Sequence, residues 1–403
     1  MRAARLASSV AAALLAACGQ APYADTVPSA AARVSKDVQP VQATPRPPAE
    51  GPQAAPDADP VLGGTCAESA EGAAGIAGDG GVRIPLKVGL TLATAWHRTT
   101  QADDVECLTQ VQELTDAAIV ASASCAMRDG TFGGSRKVCR SDFESASIYD
   151  SGAGDEHDTI TGTTMFSLSR RAFQELKERG ETRHRNVSFH EGGLVADLRG
   201  MLASRGAGTF AAMVNDRLED LPVLRAEGVL KGAAMGKPIE TRVRLAVLDD
   251  ERFPLVLDYS MPDIGATGFF VRYTRISFPT ERLIEERLAE DGRADVYGIY
   301  FDFASDRLRA ESEPVLREIA DTLARHPDWT LRIDGHTDGI GGEKVNQQLS
   351  ERRSAAVRAA LVGRYQIGGA RLSARGHGAA RPKDTNETRE GRARNRRVEL
   401  IRQ

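Results

Sequence analysis

Between Trp329 and Arg353 the chain changes its hydrophobic period once, and that single change restricts what can surround it. Trp329-Thr330-Leu331-Arg332-Ile333-Asp334 alternates apolar with polar residues, the period of a strand with one buried face. Asn346, Leu349, Ser350 and Arg353 then recur at i, i+3, i+4 and i+7, one face of a helix. Between the two lie Gly339, Gly341 and Gly342, which open backbone angles closed to other residues and let a ligand approach the main chain. Asp338 leaves the strand at its carboxyl end, so one acid and one guanidinium converge on one small cleft. Such a pair is complementary to a zwitterion, an ammonium and a carboxylate on the same carbon. The planar fork of Arg353 suits the carboxylate because it gives two parallel, charge-assisted hydrogen bonds. The plainer reading of the same spacing is an ion pair between Asp338 and Arg353 themselves.

The pattern extends further: Thr337-Asp338, Gly341, Asn346, Leu349-Ser350 and Arg353 are followed by Asn386, Thr388, Gly391-Arg392-Ala393 and Asn395-Arg396-Arg397-Val398-Glu399. Over about Val296 to Gln403 this resembles the OmpA-like peptidoglycan-binding domain family, by motifs that are many, ordered and correctly spaced. The resemblance implies that Asp338 and Arg353 grip the side-chain end of meso-diaminopimelate in the stem peptide of peptidoglycan. It gives Asp338 the ammonium and Arg353 the carboxylate. Asn346 is expected to add hydrogen bonds and orient the turn, Thr337 to help fix Asp338, and Leu349 to pack beneath the ligand stem. Phe303-Ala304-Ser305 is expected to contribute backbone groups, while Arg396 and Arg397, as structural partners of acids, stay outside the site. Ser354 departs from the family's usual alanine, which touches local helix packing only.

The amino terminus reads as a secretory signal: Met1-Arg2-Ala3-Ala4-Arg5, an apolar run from Leu6 to Ala17, then Cys18. The run is too short to span a bilayer permanently. Leu15-Ala16-Ala17-Cys18 is similar to a bacterial lipobox, so residues 1–17 are expected to be removed and Cys18 acylated. Several acyl chains anchor stably where one would be marginal. Gly19 stands where an aspartate would resemble an inner-membrane retention signal, which favours the outer membrane. Residues 18–81 then form a lipidated cysteine and an Ala/Pro-rich linker, with Pro45, Pro47, Pro48, Pro52, Pro56 and Pro60. Residues 19–60, the part rich in alanine and proline, bury little and are expected to be disordered; about forty residues at about 3.1 Å each reach on the order of 100 Å as a tether.

With Cys18 assigned to lipid, Cys66, Cys107, Cys125 and Cys139 remain, an even set in an oxidising compartment. Two disulfides are expected, and three pairings are open. Val105 to Leu114 and Ala118 to Ala126 form a candidate hairpin that would set Cys107 opposite Cys125, which favours that pair together with Cys66 and Cys139. Residues 82–285 read as a mainly β middle domain, a sandwich or open barrel, from the apolar runs Val82 to Leu92, Arg242 to Leu248, Leu255 to Tyr259 and Phe269 to Phe278. One helix is expected there, on the stripe of Phe166, Leu168, Phe173 and Leu176 ahead of Gly180. A connecting helix over 281–293 leads to residues 294–403, where a strand at Tyr297 to Phe303 opens an alternation of strands and helices. The expected class is α+β, with a C-terminal α/β sandwich of a mixed sheet and helices packed on it, preceded by the β domain and the tether.

No catalytic motif, metal site or cofactor site is read. His190-Glu191 opens like a zinc-protease helix, but the second ligand position holds Leu194, and the phosphate-loop, dinucleotide and nucleophile-elbow patterns are missing. From 301 to 403 there are twenty Lys and Arg against fifteen Asp and Glu, an excess of five positive charges in a chain of net charge −4. Nucleic acid is not the expected partner: a secreted chain would not meet it, and the aromatic stacking platform is missing. The reading is a non-enzymatic outer-membrane lipoprotein, anchored on the periplasmic face, that ties membrane to peptidoglycan. Its rivals place an envelope enzyme or a receptor for an envelope protein partner in the middle domain, with the C-terminal domain only localising it, or turn the protein outward at the cell surface.

Overall fold

Alternating burial along the chain builds one large sheet and then a small one. The computed structural model describes residues 59–66, 84–96, 105–127, 130–150, 158–190, 193–234, 236–263, 269–280 and 282–403. Cys18, the signal and most of the tether lie outside the described residues. In chain order the first part holds β1 (Val61–Leu62), β2 (Thr91–Trp96), β3 (Val105–Leu114), β4 (Ala118–Met127), β5 (Gly130–Cys139), α1 (Arg140–Ser145), β6 (Ile148–Asp150), β7 (Asp158–Thr161), β8 (Thr163–Thr164) and α2 (Arg170–Glu178). There follow β9 (Glu181–His190), β10 (Gly193–Val214), β11 (Arg217–Ala234), β12 (Lys237–Leu248), β13 (Val256–Met261) and β14 (Phe269–Ser277). The described strands join in the order β1-β7-β5-β4-β3-β2-β14-β13-β12-β11-β10-β9-β6-β8. β10 also pairs in parallel with β14 at Met213 and Val214, so β10 to β14 close into a ring. One core gathers Leu92, Ile119, Val138, Phe143, Phe210, Leu221 and Leu257. A second gathers Tyr149, Phe173, Leu176, Leu198, Leu202, Leu230 and Tyr259.

The structure joins Cys107 to Cys125, which face each other across β3 and β4, and Cys66 to Cys139. Helix α2 starts later than the apolar stripe predicts. Ser169 caps it by accepting from the Ala172 N–H, and Phe166 and Leu168 stay buried in extended chain bridged to Leu255.

The C-terminal part holds α3 (Leu283–Glu290), β15 (Arg293–Val296), α4 (Glu313–Arg325), β16 (Leu331–Gly335), α5 (Glu343–Tyr365), β17 (Leu372–Gly376), α6 (Arg389–Asn395) and β18 (Val398–Arg402). Its sheet runs β15-β18-β16-β17, with β16 and β17 parallel and β18 antiparallel to β15 and β16. The parallel pair needs a crossover, which α5 provides. Leu316, Ile319, Leu323, Leu331, Ile333, Val357, Leu361 and Leu400 form the core between helices and sheet.

One strand is displaced from its expected place. The opening strand is Arg293–Val296, not Tyr297 to Phe303, because the backbone of 297–302 is engaged elsewhere. Tyr297 N–H donates to the Asp216 carboxylate at 3.1 Å and Tyr300 N–H to Ser312 Oγ at 2.8 Å, while Tyr300 O accepts from Arg309 N–H at 3.0 Å. Each N–H has one bond to donate, and Tyr300 O is filled by Arg309 N–H and Ser312 Oγ, so these bonds replace a ladder. They also mark where the two sheets meet. Arg309 and Arg275, both almost completely buried, cross that boundary. Arg309 Nη2 donates to Ser124 O at 2.9 Å, and Arg275 Nη1 to Tyr297 O at 3.3 Å.

Candidate functional site

The site is built where β16 ends. Gly335 has its α-carbon packed on helix α5 so closely that a Cβ there would stand 2.5 Å from Ser350 O, which seats the helix directly on the strand. His336 N–H then donates to Arg397 O, and Thr337 N–H to Gly378 O, each at 3.0 Å. Thr337 is buried and clamped by its backbone, so Asp338 emerges from a fixed point.

The glycine turn is held by two asparagines. Asn386 Oδ1 accepts from Gly339 N–H at 2.8 Å, and Asn346 Nδ2 donates to Ile340 O at 3.0 Å and Asp338 O at 3.3 Å. Gly341 sits at φ +95°, a conformation that a side chain would strain. Asp338 Oδ1 accepts from Ile340 N–H at 3.0 Å, and Oδ2 from Arg396 Nη1 at 2.8 Å. Its orientation is therefore set from two sides.

Arg353 projects from α5 into the same region. Its Nε donates to Ser305 O at 2.8 Å and its Nη2 approaches Asp302 O at 3.4 Å, while the guanidinium lies 4.7 Å from the centre of the Phe301 ring. Ala304, at φ +49°, turns the loop that presents these carbonyls. Burial lowers the Arg353 pKa to about 10, with the attraction of Glu106 and then Asp338 acting against it, so the group stays charged at neutral pH. Leu349, half-buried, lies one turn earlier on the same helix; Val345, another turn back, and Ile340, in the glycine turn, are exposed.

Among the described residues Asp338 and Arg353 form no ion pair with each other. Asp338 turns to Arg396, which the sequence reading placed outside the site; its Asn395-Arg396-Arg397 motif was the available signal. Arg397 does act as a partner of acids, reaching Asp295 at 3.1 Å and Glu399 at 3.9 Å. A further acid arrives from β3. Glu106 pairs with Arg275 and, at 3.4 Å, with Arg396 Nη2. Burial pushes the Glu106 pKa up, but the guanidinium groups of Arg275, Arg396, Arg309 and Arg353 outweigh it and hold it at about 2. No local pattern marks Glu106, which lies 290 residues from Arg396 in the chain.

Residues 300–396 match the model of the OmpA family. Outer membrane porin F of Pseudomonas aeruginosa is 43% identical over 101 residues, 25% of this chain and 29% of the porin. Outer-membrane lipoprotein YfiB of the same organism is 42% identical over 96 residues, 24% of this chain and 56% of the lipoprotein. The match thus spans less than a third of the porin and little more than half of the lipoprotein. The crystal structure of the peptidoglycan-associated lipoprotein from Burkholderia pseudomallei, 32% identical, covers 26% of this chain and 88% of its own, with a TM-score of 0.25, too low to carry weight.

Proposed function

We propose that this chain, whose C-terminal domain is OmpA-like, is an outer-membrane lipoprotein that binds peptidoglycan non-covalently through the diaminopimelate of the stem peptide. In this reading residues 1–17 are a signal, Cys18 carries the lipid on the periplasmic face, residues 18–81 are the tether, 82–285 a β-rich domain, and 294–403 the wall-binding domain. The observation that supports it best is the separation of charge in the site. Asp338 and Arg353 do not neutralise each other, and each is oriented by other groups.

Binding follows from those contacts. A carboxylate has about four lone-pair sites, so Asp338, with one bond to each oxygen, retains acceptor capacity for an ammonium. The Arg353 guanidinium has five N–H donors, and its bonds to Ser305 O and Asp302 O leave others for a carboxylate. Its place over the Phe301 ring steadies the guanidinium. Asn346 holds the turn that separates the two charges, and Leu349 offers apolar surface to the ligand's methylene stem. The role is recognition, with no bond made or broken.

Co-sedimentation with purified peptidoglycan sacculi tests the proposal, wild type against Asp338→Ala. Truncating one partner of a desolvated charge pair costs on the order of 2 to 5 kcal/mol, roughly thirtyfold or more in affinity. The wild type is expected in the pellet and the variant in the supernatant. Equal sedimentation of the two would refute the assignment of Asp338.

A further inference from the structure

We infer that Glu106, carried on strand β3 of the large sheet, is a positioning residue of the diaminopimelate site: it holds Arg396 so that Asp338 keeps its capacity for the ligand's ammonium. The inference rests on the proposed binding of diaminopimelate and adds a residue from outside the OmpA-like domain.

Arg396 is a bridge between two acids. Its Nη1 meets Asp338 Oδ2 at 2.8 Å and its Nη2 meets Glu106 Oε2 at 3.4 Å, with all three side chains less than a quarter exposed. Glu106 is in turn paired with Arg275, which donates through Nη1 to Arg396 O at 3.4 Å. The backbone of Arg396 is thus held by Arg275 and its guanidinium by Glu106. Glu106 itself is braced from behind, since Cys107 next to it is bonded to Cys125, and neighbouring Ser124 O accepts from Arg309.

The sign of the effect follows from charge sharing. A guanidinium divided between two carboxylates binds each less tightly than it would bind one alone. Glu106 therefore draws Arg396 away from full neutralisation of Asp338 and adds negative potential where the ammonium arrives. Its opposite influence, repulsion of the ligand's carboxylate, acts at Arg353. Among the described residues Glu106 is within ion-pair distance of Arg275 and Arg396 and not of Arg353. Its direct contact is therefore at the ammonium end, while it acts on Arg353 only across a longer distance.

The test measures binding of two stem peptides to the full secreted chain and its Glu106→Gln variant. One peptide carries diaminopimelate; the other carries a residue with the same side-chain carboxylate and no ammonium. Glu106→Gln is expected to lose about tenfold in affinity for the first peptide and to bind the second no more weakly than the wild type does. Glu106→Asp, which keeps the charge on a shorter arm, is expected to lose about two- to threefold for the first peptide only. If Glu106→Gln does not fold, as thermal unfolding would reveal, the Asp variant decides the matter by the same selectivity. Unchanged or tighter binding of the diaminopimelate peptide would overturn the inference, and so would an equal loss for both peptides, which is the mark of general disruption. Loss of the inference alone is distinguishable: Asp338→Ala would still abolish wild-type binding. If the wild type bound with no dependence on Asp338, the diaminopimelate reading and this inference would fall together.

Discussion

Arg353 occupies an environment in which lysine is a poor substitute. Its guanidinium donates to two loop carbonyls and lies over the Phe301 ring, and the two hydrogen bonds use the planar fork. An ammonium is a compact point charge that reproduces neither this placement nor a bidentate grip on a carboxylate. Arg353→Lys is expected to lose roughly thirtyfold or more in affinity for a diaminopimelate stem peptide, measured by titration. The same chemistry predicts rejection of a stem peptide with lysine in place of diaminopimelate, which keeps the ammonium and lacks the carboxylate. Equal affinity of the wild type for the two peptides would sink the zwitterion mechanism even if wall binding survived. At this scale much was legible: the residue types and spacing of Asp338, Asn346 and Arg353 announce an acid and a guanidinium held apart on a strand end and a helix. The identity of Asp338's partner was not legible, because Arg396 and Arg353 are equally cationic and only folded geometry separates them.

Among the elements, the hairpin of β10 and β11 was invisible in the sequence although it is the longest among the described residues. Its strands are rich in glycine and charge, so apolar runs do not mark them, and burial on β11 alternates only in part. The glycines have a role in pairing. A Cβ on Gly228 or Gly232 would lie 2.0 Å from the carbonyl of Met201 or Asp197 on β10. Absence of a side chain lets the two backbones approach where the hairpin coils. Gly228→Ala is expected to cost about 1 to 3 kcal/mol, read as a lower denaturant midpoint at unchanged slope. An unchanged midpoint would show that β10 can move aside without loss. The hairpin of β3 and β4, by contrast, was legible from its strand pattern and turn, and it carries the Cys107 to Cys125 bond.

Across the whole molecule, the tip of the long hairpin reaches the C-terminal part. Asn215 and Asp216 take left-handed backbone angles there, and Asp216, its side chain 13% exposed, accepts from Tyr297 N–H, with Arg287 at 3.7 Å. Burial pushes the Asp216 pKa up to about 7, against the pull of Arg287 and with Asp295 and Glu318 adding repulsion. A folded pKa above the unfolded one means the folded state binds more protons between about pH 4 and 7. Stability from this group is therefore present at low pH and lost as pH rises through that window, by at most about 4 kcal/mol. Buried His184 and His336, whose pKa values are lowered, act in the opposite direction, so the comparison must isolate Asp216. Asp216→Asn keeps an acceptor for Tyr297 and cannot ionise. Denaturant midpoints at pH 5 and pH 8 are expected to show the variant gaining on the wild type as pH rises. A difference independent of pH would mean that Asp216 ionises normally.

Besides the motif resemblance that marks the C-terminal part as OmpA-like, the sequence by itself determined what depends on local spacing: the strand, glycine turn and helix around Asp338, and the two-strand pairing that sets Cys107 opposite Cys125. Period and composition suffice there, because each contact is made within one element or between elements adjacent in the chain. Only the tertiary structure decided that Tyr297 to Phe303 forgoes a sheet ladder, that Arg396 holds Asp338, and that Glu106 stands beside both. Those outcomes depend on which of many arginines and acids meet when distant segments pack. A charge carries no address in the sequence; burial gives it one, since a desolvated ion is stable only beside the partner that the fold brings to it.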